Sequence, residues 1–343
     1  MSTLQYIDEA SGIPLSGVDF LGVIDRGTNV IELKPLTLCN LTCKYCFVRA
    51  GDYFRNFIVD KDYLIKKVEE IVEIKGKYGI EIHLAPYGEI LLYPSLYGLI
   101  TQLWDIEGIE TISMQTNGLL LNKEIIQKLE SANLTRMNIS LNSLNQETAN
   151  YLCNCKNYNM KALLKNINLL LESRIDLLLA PVWFPGENDY DIEEIIQYII
   201  DQRSQGYTEK QLQIGIQKYL IYKTGRKLKK IRPKTWDFFY KQLSTLEKEY
   251  KIKLKLGPLD FNIHKRDKFS TFQVNKDALI KLTVVSEGRW ENEYIGKIND
   301  EIGIKILVNK QLFPFQNLMG KKIEVRIIKA NYKDNILTAV FPK

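Results

Sequence analysis

The sequence lacks any run of 18 apolar residues, which predicts that no helix spans a membrane and that the protein has no membrane partner. Its first residues, Met-Ser-Thr-Leu-Gln-Tyr-Ile-Asp-Glu, have neither the basic nor the apolar segment of a signal peptide, so we expect a cytoplasmic protein. Cysteine is scarce, with five residues in 343. In that compartment clustered thiols bind metals more often than they form disulfides.

Three of the five cysteines lie close together, in Cys39-Asn-Leu-Thr-Cys43-Lys-Tyr-Cys46. Residues 30–38 before them have the pattern of a strand, so the thiols are predicted on a loop at a strand's carboxyl end, where α/β folds place their sites. Thiolates suit iron–sulfur clusters, and a [4Fe–4S] cluster normally takes four of them. Three thiolates leave one iron open for a substrate or cofactor. A zinc site and three unrelated buried thiols are the alternatives.

The CxxxCxxC spacing, with the aromatic Tyr45 before the last cysteine, resembles the radical S-adenosylmethionine (radical SAM) superfamily. The resemblance implies a [4Fe–4S] cluster on Cys39, Cys43 and Cys46, with S-adenosylmethionine bound to the open iron and in contact with Tyr45. The reduced cluster of such enzymes cleaves S-adenosylmethionine to a 5′-deoxyadenosyl radical. The resemblance therefore also implies an electron donor such as ferredoxin or flavodoxin.

Strand-like runs and amphipathic helical stripes alternate six times after the cysteines' strand begins, which predicts an α/β fold with a parallel sheet. Periodicity alone does not say whether that sheet is open or curved. The resemblance implies a partial (β/α)6 barrel, which we place at residues 30–264 after an N-terminal extension at 1–29.

Residues 265–343 have a different pattern, with five short β runs separated by turns rich in Gly, Asn and Asp. This pattern predicts a small all-β barrel of the OB type. Gly320-Lys-Lys-Ile-Glu-Val-Arg-Ile-Ile-Lys-Ala and Ile336-Leu-Thr-Ala-Val resemble a TRAM domain, an RNA-binding barrel. The alternative is a β domain used for packing or dimerisation.

Tyr87-Gly88-Glu89 follows the second strand and occupies the place of the family's Gly-Gly-Glu motif, which holds the methionine amino group of the cofactor. A carboxylate such as Glu89 accepts a charge-assisted hydrogen bond from an ammonium group. The resemblance implies further cofactor contacts at the later strand ends, from Asn117, Ser140, Asn142, Val182 and Gln217. A solvated Glu89 and turn-capping Ser and Asn residues are the alternatives.

Cys153 and Cys155 form a second, smaller group of thiols. Auxiliary cluster ligands and a substrate-linking thiol are the functional interpretations. Two thiols are too few for a further cluster, so we expect that neither residue binds iron.

Residues 218–234 contain eight basic side chains and no acidic one, with Tyr219 and Tyr222 among them. Basic clusters with aromatics suit a phosphate backbone and stacked bases, whereas a solvated loop is the simpler interpretation. Residues 265–343 contain 15 Lys/Arg and 9 Asp/Glu, which accounts for the whole net charge of +6. The predicted RNA contacts of the basic stretch are Lys223, Arg226, Lys227, Lys229, Lys230 and Arg232.

The sequence thus predicts a radical SAM enzyme that acts on RNA, with tRNA as the first candidate. Ile24-Asp-Arg-Gly-Thr-Asn-Val and Pro181-Val-Trp-Phe-Pro-Gly-Glu-Asn-Asp are similar to an archaeal group of such proteins that carry a TRAM-like domain. One alternative is a radical SAM enzyme for a peptide or small metabolite. Another is a non-catalytic RNA-binding protein with a structural iron–sulfur cluster.

Overall fold

A computed structural model describes residues 2–269, 273–309, 317–331, 334 and 336–341. The chain forms two compact units. The first unit contains residues 1–38, 52–110 and 263–343, and the second contains residues 39–51 and 111–262. Among the described residues, no helix has the length and apolar character needed to cross a membrane.

Helices and strands alternate through most of the chain. The α-helices are α1 Lys61–Lys75, α2 Leu96–Leu103, α3 Lys123–Ser131, α4 Gln146–Cys153, α5 Met160–Leu171, α6 Asp189–Ser204 and α7 Trp236–Tyr250. The strands are β1 Thr3–Ile7, β2 Gly22–Asp25, β3 Val30–Lys34, β4 Arg55–Val59, β5 Ile80–Leu84, β6 Ile109–Thr116, β7 Arg136–Ile139, β8 Asp176–Leu179, β9 Val182–Trp183, β10 Leu212–Ile214, β11 Gln217–Lys218, β12 Leu279–Glu287, β13 Glu293–Lys297, β14 Gly303–Val308, β15 Lys322–Asn331 and β16 Ile336–Phe341.

The first unit contains the strand that precedes the clustered cysteines. In this unit β3 pairs with β2 in the antiparallel sense and with β5 in the parallel sense, while β1 and β4 form a separate parallel pair. The helix α1 begins at Asp60, whose carboxylate accepts from the backbone N–H groups of Asp62 and Tyr63. Such a carboxylate satisfies N–H groups of the first helical turn, which have no acceptor within the helix.

The C-terminal strands of the first unit form a closed barrel in the order β12-β13-β14-β16-β15. The pair β14–β16 is parallel and the other neighbours are antiparallel, an arrangement compatible with an OB-type barrel. The predicted five-stranded all-β barrel is therefore confirmed. The last predicted β run begins at Asn335, which lies outside the described residues.

The barrel strands also contact the beginning of the chain. The N–H of Gly303 donates to the Ser16 carbonyl at 2.7 Å, and the N–H of Leu337 donates to the Gly17 carbonyl at 3.0 Å. Gly17 has φ +96°, and a Cβ there would lie 2.0 Å from the Gly303 carbonyl oxygen. Only glycine permits this approach of two backbones.

The second unit is a parallel sheet in the order β6-β7-β8-β10, with helices between its strands. The N-cap of helix α3 is Asn122, whose side chain accepts from the Ile125 N–H at 2.9 Å. After β8 and β10 the chain forms a second, short parallel pair, in which β9 pairs with β11. The helix α4 was not predicted, because its polar residues show no clear helical stripe.

Candidate active site

The three clustered cysteines lie on a loop of the second unit, residues 39–51, which we call the cysteine loop. Cys39, Cys43 and Cys46 are each half-buried. The Cys46 N–H donates to the Cys43 carbonyl at 3.2 Å, so the backbone turns between these two thiols. The Lys44 N–H donates to the Leu152 carbonyl at 2.9 Å, which fastens the loop to the end of α4.

Arg226 holds the other side of the cysteine loop. Its Nε donates to the Cys43 carbonyl at 2.6 Å and its Nη2 to the Ala50 carbonyl at 2.7 Å. Its backbone N–H donates to the Cys46 carbonyl at 2.8 Å. Arg226 was predicted as an RNA contact, but the structure places its half-buried guanidinium against the loop that carries the thiols.

Cys153, which closes α4, lies beside Cys43. A hydrogen bond with the Cys153 thiol, followed by burial, raises the pKa of Cys43 well above its ordinary value, and the charge of Arg226 opposes this. Burial raises the pKa of Cys46, again against Arg226. Because iron binds thiolates, cluster binding must release these protons.

Tyr45 is fixed by a chain of side-chain hydrogen bonds. The Asn142 amide donates to the Tyr45 hydroxyl at 2.5 Å and accepts from the Val182 N–H at 2.7 Å. The Tyr45 ring packs 4.8 Å from that of Phe184. Asn142 is buried, and its amide forms hydrogen bonds with both of these groups. We therefore infer that Asn142 orients Tyr45 and Val182.

The remaining predicted cofactor residues of this unit also lie at strand ends. Asn117 follows β6 and donates from its amide to the Asn40 side chain at 2.8 Å, a link to the cysteine loop. Ser140 follows β7 and accepts from the Gln115 amide at 2.8 Å. Gln217 begins β11 and is exposed. Asn117 and Ser140 thus lie after the carboxyl ends of strands, where parallel sheets commonly place site residues, whereas Gln217 lies at the start of one. Cofactor binding by these three residues stays a prediction.

In the first unit, the Gly88 turn lies against the residue that precedes Cys39. The Glu89 N–H donates to the Leu38 carbonyl at 2.7 Å, and a Cβ on Gly88 would lie 2.0 Å from that oxygen. Only glycine fits there. The Glu89 carboxylate is buried and accepts from the Leu91 N–H at 3.0 Å, where it caps a short 3-10 turn.

A charged group near Tyr87 was not predicted. The Lys34 ammonium pairs with the Glu32 carboxylate at 2.5 Å, donates to the Ala85 carbonyl at 2.7 Å and lies 4.6 Å from the Tyr87 ring centroid. Burial raises the pKa of Glu32, but Lys34 and then Arg26 outweigh it and hold that pKa at about 2. The sequence signal was present in Glu32 and Lys34, two charges at alternate positions of an otherwise apolar strand.

The donor chemistry of the cysteine loop fits an iron–sulfur cluster. Three soft thiols stand on one loop whose backbone is held from both sides. The described residues contain no group of three or more His, Cys, Asp or Glu side chains that converges on a single metal ion. A cubane does not require such convergence, since each thiolate binds a different iron.

Comparison with known proteins shows the family of the chain. The sequence profile of the radical SAM superfamily matches residues 33–199. An uncharacterized protein of Methanocaldococcus jannaschii is 36% identical, and the match covers 97% of this chain and 79% of that protein. The chain belongs to the radical SAM superfamily. Its cofactors are accordingly a [4Fe–4S] cluster and S-adenosylmethionine, as the resemblance implied.

Two further comparisons define how far this similarity extends. GTP 3′,8-cyclase of Staphylococcus carnosus is 32% identical over 53% of this chain, which spans only 54% of that enzyme's length. The crystal structure of HydG, a maturase of the [FeFe]-hydrogenase, matches with a TM-score of 0.53 at 13% identity and covers 70% of this chain and 52% of that one. At that identity it supports only the fold, the partial α/β barrel of radical SAM enzymes.

Arg226 belongs to the basic stretch of this radical SAM chain, residues 218–234. Apart from Arg226, the predicted RNA contacts, which are Lys223, Lys227, Lys229, Lys230 and Arg232, are all exposed. Tyr219 is buried in an apolar cluster and does not face solvent, whereas Tyr222 is 50% exposed.

Sequence reasoning missed the aromatic first turns of α7, which follow the basic stretch. Trp236 is 51% exposed and Tyr240 49%, and their rings stack with centroids 5.8 Å apart. The Lys218 ammonium lies 4.9 Å from the Trp236 ring centroid. The signal in the sequence is their i and i+4 spacing, which places both rings on one face of a helix.

Proposed function

We propose that this protein is a radical SAM enzyme that modifies RNA, with tRNA as the substrate class. The observation that carries the proposal is an exposed surface of lysines and aromatic rings, formed by residues 222–240 of the second unit. Residues 218–236 contain no acidic side chain. Exposed cations attract phosphates, and exposed rings stack on unpaired bases.

We assign roles to the chain's own residues. Cys39, Cys43 and Cys46 would hold the cluster, and the Glu89 carboxylate would accept from the ammonium group of S-adenosylmethionine. When bound, the cluster and this cofactor would supply a 5′-deoxyadenosyl radical. Tyr45 is held rigidly by Asn142 at the cofactor end of the sheet. Barrels of the TRAM type bind RNA, so we assign the C-terminal barrel a second RNA contact.

The test is RNA binding as a function of salt. The full-length protein with its cluster is titrated with unmodified tRNA between 50 and 300 mM salt, and the slope of log affinity against log salt is measured. The double variant Lys229→Glu, Lys230→Glu should bind more weakly and flatten the slope by about 1.4, because each phosphate contact contributes about 0.7.

The matched control is Lys161→Glu with Lys165→Glu. Both lysines are exposed on α5, so this variant has the same change in net charge on another element. It should keep the wild-type slope within error. Equal slopes for the two double variants, or no tRNA binding above a neutral protein of similar size, would remove RNA as the substrate.

A purine nucleotide is the second candidate substrate, and the GTP 3′,8-cyclase similarity favours it. Half of this chain is about 30% identical to enzymes named for that reaction. A free nucleotide offers the same phosphate and base as RNA but needs only one contact of each kind. Formation of 5′-deoxyadenosine that GTP stimulates and tRNA does not would favour this candidate.

A further inference from the structure

We propose that Arg226 is a positioning residue of the iron–sulfur cluster, which fixes the cysteine loop and places a positive charge against the backbone of that loop. The inference depends on the radical SAM site alone and does not require RNA as the substrate. Nothing in the local sequence marks Arg226, since it is one of eight basic residues in its stretch.

The geometry is that of a clamp on the loop backbone. The guanidinium donates to the carbonyls of Cys43 and Ala50, which lie seven residues apart. The backbone N–H of Arg226 donates to the carbonyl of Cys46, which lies between them in the chain. Two of these three carbonyls belong to cluster cysteines. The planar fork of arginine donates in two fixed directions, which a single lysine ammonium cannot reproduce.

Gly225, the residue before Arg226, allows this segment to lie close to the cysteine loop. A Cβ on Gly225 would lie 2.6 Å from the Phe47 carbonyl oxygen, so only glycine lets the segment reach the loop. The Tyr222 ring packs 5.5 Å from the Phe47 ring and adds an apolar contact beside the clamp. Tyr222, Gly225 and Arg226 thus all contact residues 43–50.

The charge of Arg226 lies against the backbone of the loop that carries the cluster cysteines. Reduction adds an electron to a cluster that already carries negative charge, and cluster potentials depend on nearby charge and on hydrogen bonds. A fixed cation at this position therefore stabilises the reduced cluster, the form that reacts with S-adenosylmethionine.

Two substitutions separate the positional effect from the electrostatic one. Arg226→Gln removes both the charge and the fork, while Arg226→Lys keeps the charge and loses the fork. Each protein is reconstituted with iron and sulfide without oxygen. Iron per chain, the rate of cluster loss to a ferrous chelator, and the midpoint potential by electron paramagnetic resonance titration are then measured.

Both variants should lose their cluster several-fold faster than wild type. Only Arg226→Gln should show a more negative midpoint potential. In cluster-free protein, iodoacetamide should alkylate Cys43 and Cys46 faster in Arg226→Lys than in wild type, as read by mass spectrometry, because the charge is kept while the loop backbone is no longer clamped. Lys161→Gln, which removes a charge from the exposed face of α5, should match wild type in every measurement.

Wild-type rates of cluster loss in both variants would overturn the positional role. Equal potentials in all four proteins would overturn the electrostatic role. If Arg226→Gln does not fold by circular dichroism, Arg226→Lys still tests the clamp, because its loss rate and alkylation rate must exceed those of Lys161→Gln.

Discussion

We propose that Glu89 serves both the fold and the cofactor. Its carboxylate accepts from the Leu91 N–H at 3.0 Å. The Gly88 backbone touches Leu38, so this turn lies directly beside the residue that precedes Cys39. A buried carboxylate suits an ammonium group.

Substitution of Glu89 separates these two roles. Glu89→Gln keeps an oxygen for the Leu91 N–H but loses the charge, so S-adenosylmethionine should bind more weakly by roughly 1.5–3 kcal/mol. Isothermal titration of the anaerobic protein with S-adenosylmethionine measures this. Unchanged affinity in Glu89→Gln, with a normal cluster content, would remove Glu89 from the cofactor site.

At this scale local spacing carries the prediction of the three cysteines, which lie within eight residues of the chain. The cofactors inferred from them are confirmed by the family. The contact of Arg226 with Cys43 was not predicted, because the two residues are 183 positions apart and no local pattern records such a contact. Asn142 was predicted at the right strand end, but its bonds to Tyr45 and Val182 depend on tertiary structure.

The elements themselves were largely predictable, with exceptions that have physical causes. Long amphipathic segments such as α1 and α5 and the five strands of the C-terminal barrel lie where apolar periodicity placed them. The helix α4 was not predicted, because it has only eight residues and depends on the Asn145 cap and on tertiary contacts for its stability. Pro181, which has no N–H to donate to a sheet, lies between the short strands β8 and β9.

The first turns of α7 give a prediction at the scale of an element. Trp236→Ala with Tyr240→Ala removes two exposed stacked rings and leaves the lysines in place. Stacking contributes about 1–3 kcal/mol per base, so the affinity for single-stranded RNA should fall about tenfold or more while the salt slope stays at the wild-type value. Fluorescence anisotropy with a labelled oligonucleotide measures both quantities.

The control is Tyr190→Ala, which removes a 73%-exposed ring from the start of α6. Its RNA affinity should equal that of wild type. If the α7 variant binds RNA as tightly as the control while Lys229→Glu with Lys230→Glu still weakens binding, the lysines contact RNA and the rings do not. Concentration-dependent dimerisation that is lost in the α7 variant would assign these rings to a protein interface instead.

At the scale of the whole molecule, the C-terminal barrel shares one compact unit with the beginning of the chain. Sequence alone predicted the barrel from its short strands but gave no sign of where it packs, since that depends on pairs far apart in the chain. Arg289, between β12 and β13, is buried and binds Glu293 through two bonds of 3.1 Å. Its guanidinium also lies 3.9 Å from the Asp19 carboxylate and 4.1 Å from the Phe20 ring centroid.

This buried arginine should make the barrel necessary for the stability of the first unit. Arg289→Met would leave Glu293 buried without its cation, and breaking a buried ion pair in this way costs about 3–5 kcal/mol. The Asp19 carboxylate would lose a second positive neighbour, since Arg289 and Lys305 together lower its pKa against the opposing effect of burial. Urea unfolding of the cluster-free protein at neutral pH measures the loss.

The matched control is Arg326→Met, the same substitution on β15 of the same barrel. Arg326 pairs with Asp277 at 3.2 Å, but both side chains are largely exposed, and such pairs contribute about 0–1 kcal/mol. A loss in Arg289→Met no larger than in Arg326→Met would contradict the argument. The barrel would then be a separable domain, and a chain cut at residue 265 should retain the stability of the remaining residues.

If the loss of stability in Arg289→Met is several kcal/mol larger than in Arg326→Met, removing the barrel to test RNA binding would also unfold the strands that precede the cysteines. Single charge reversals would then be the valid test of its RNA contact.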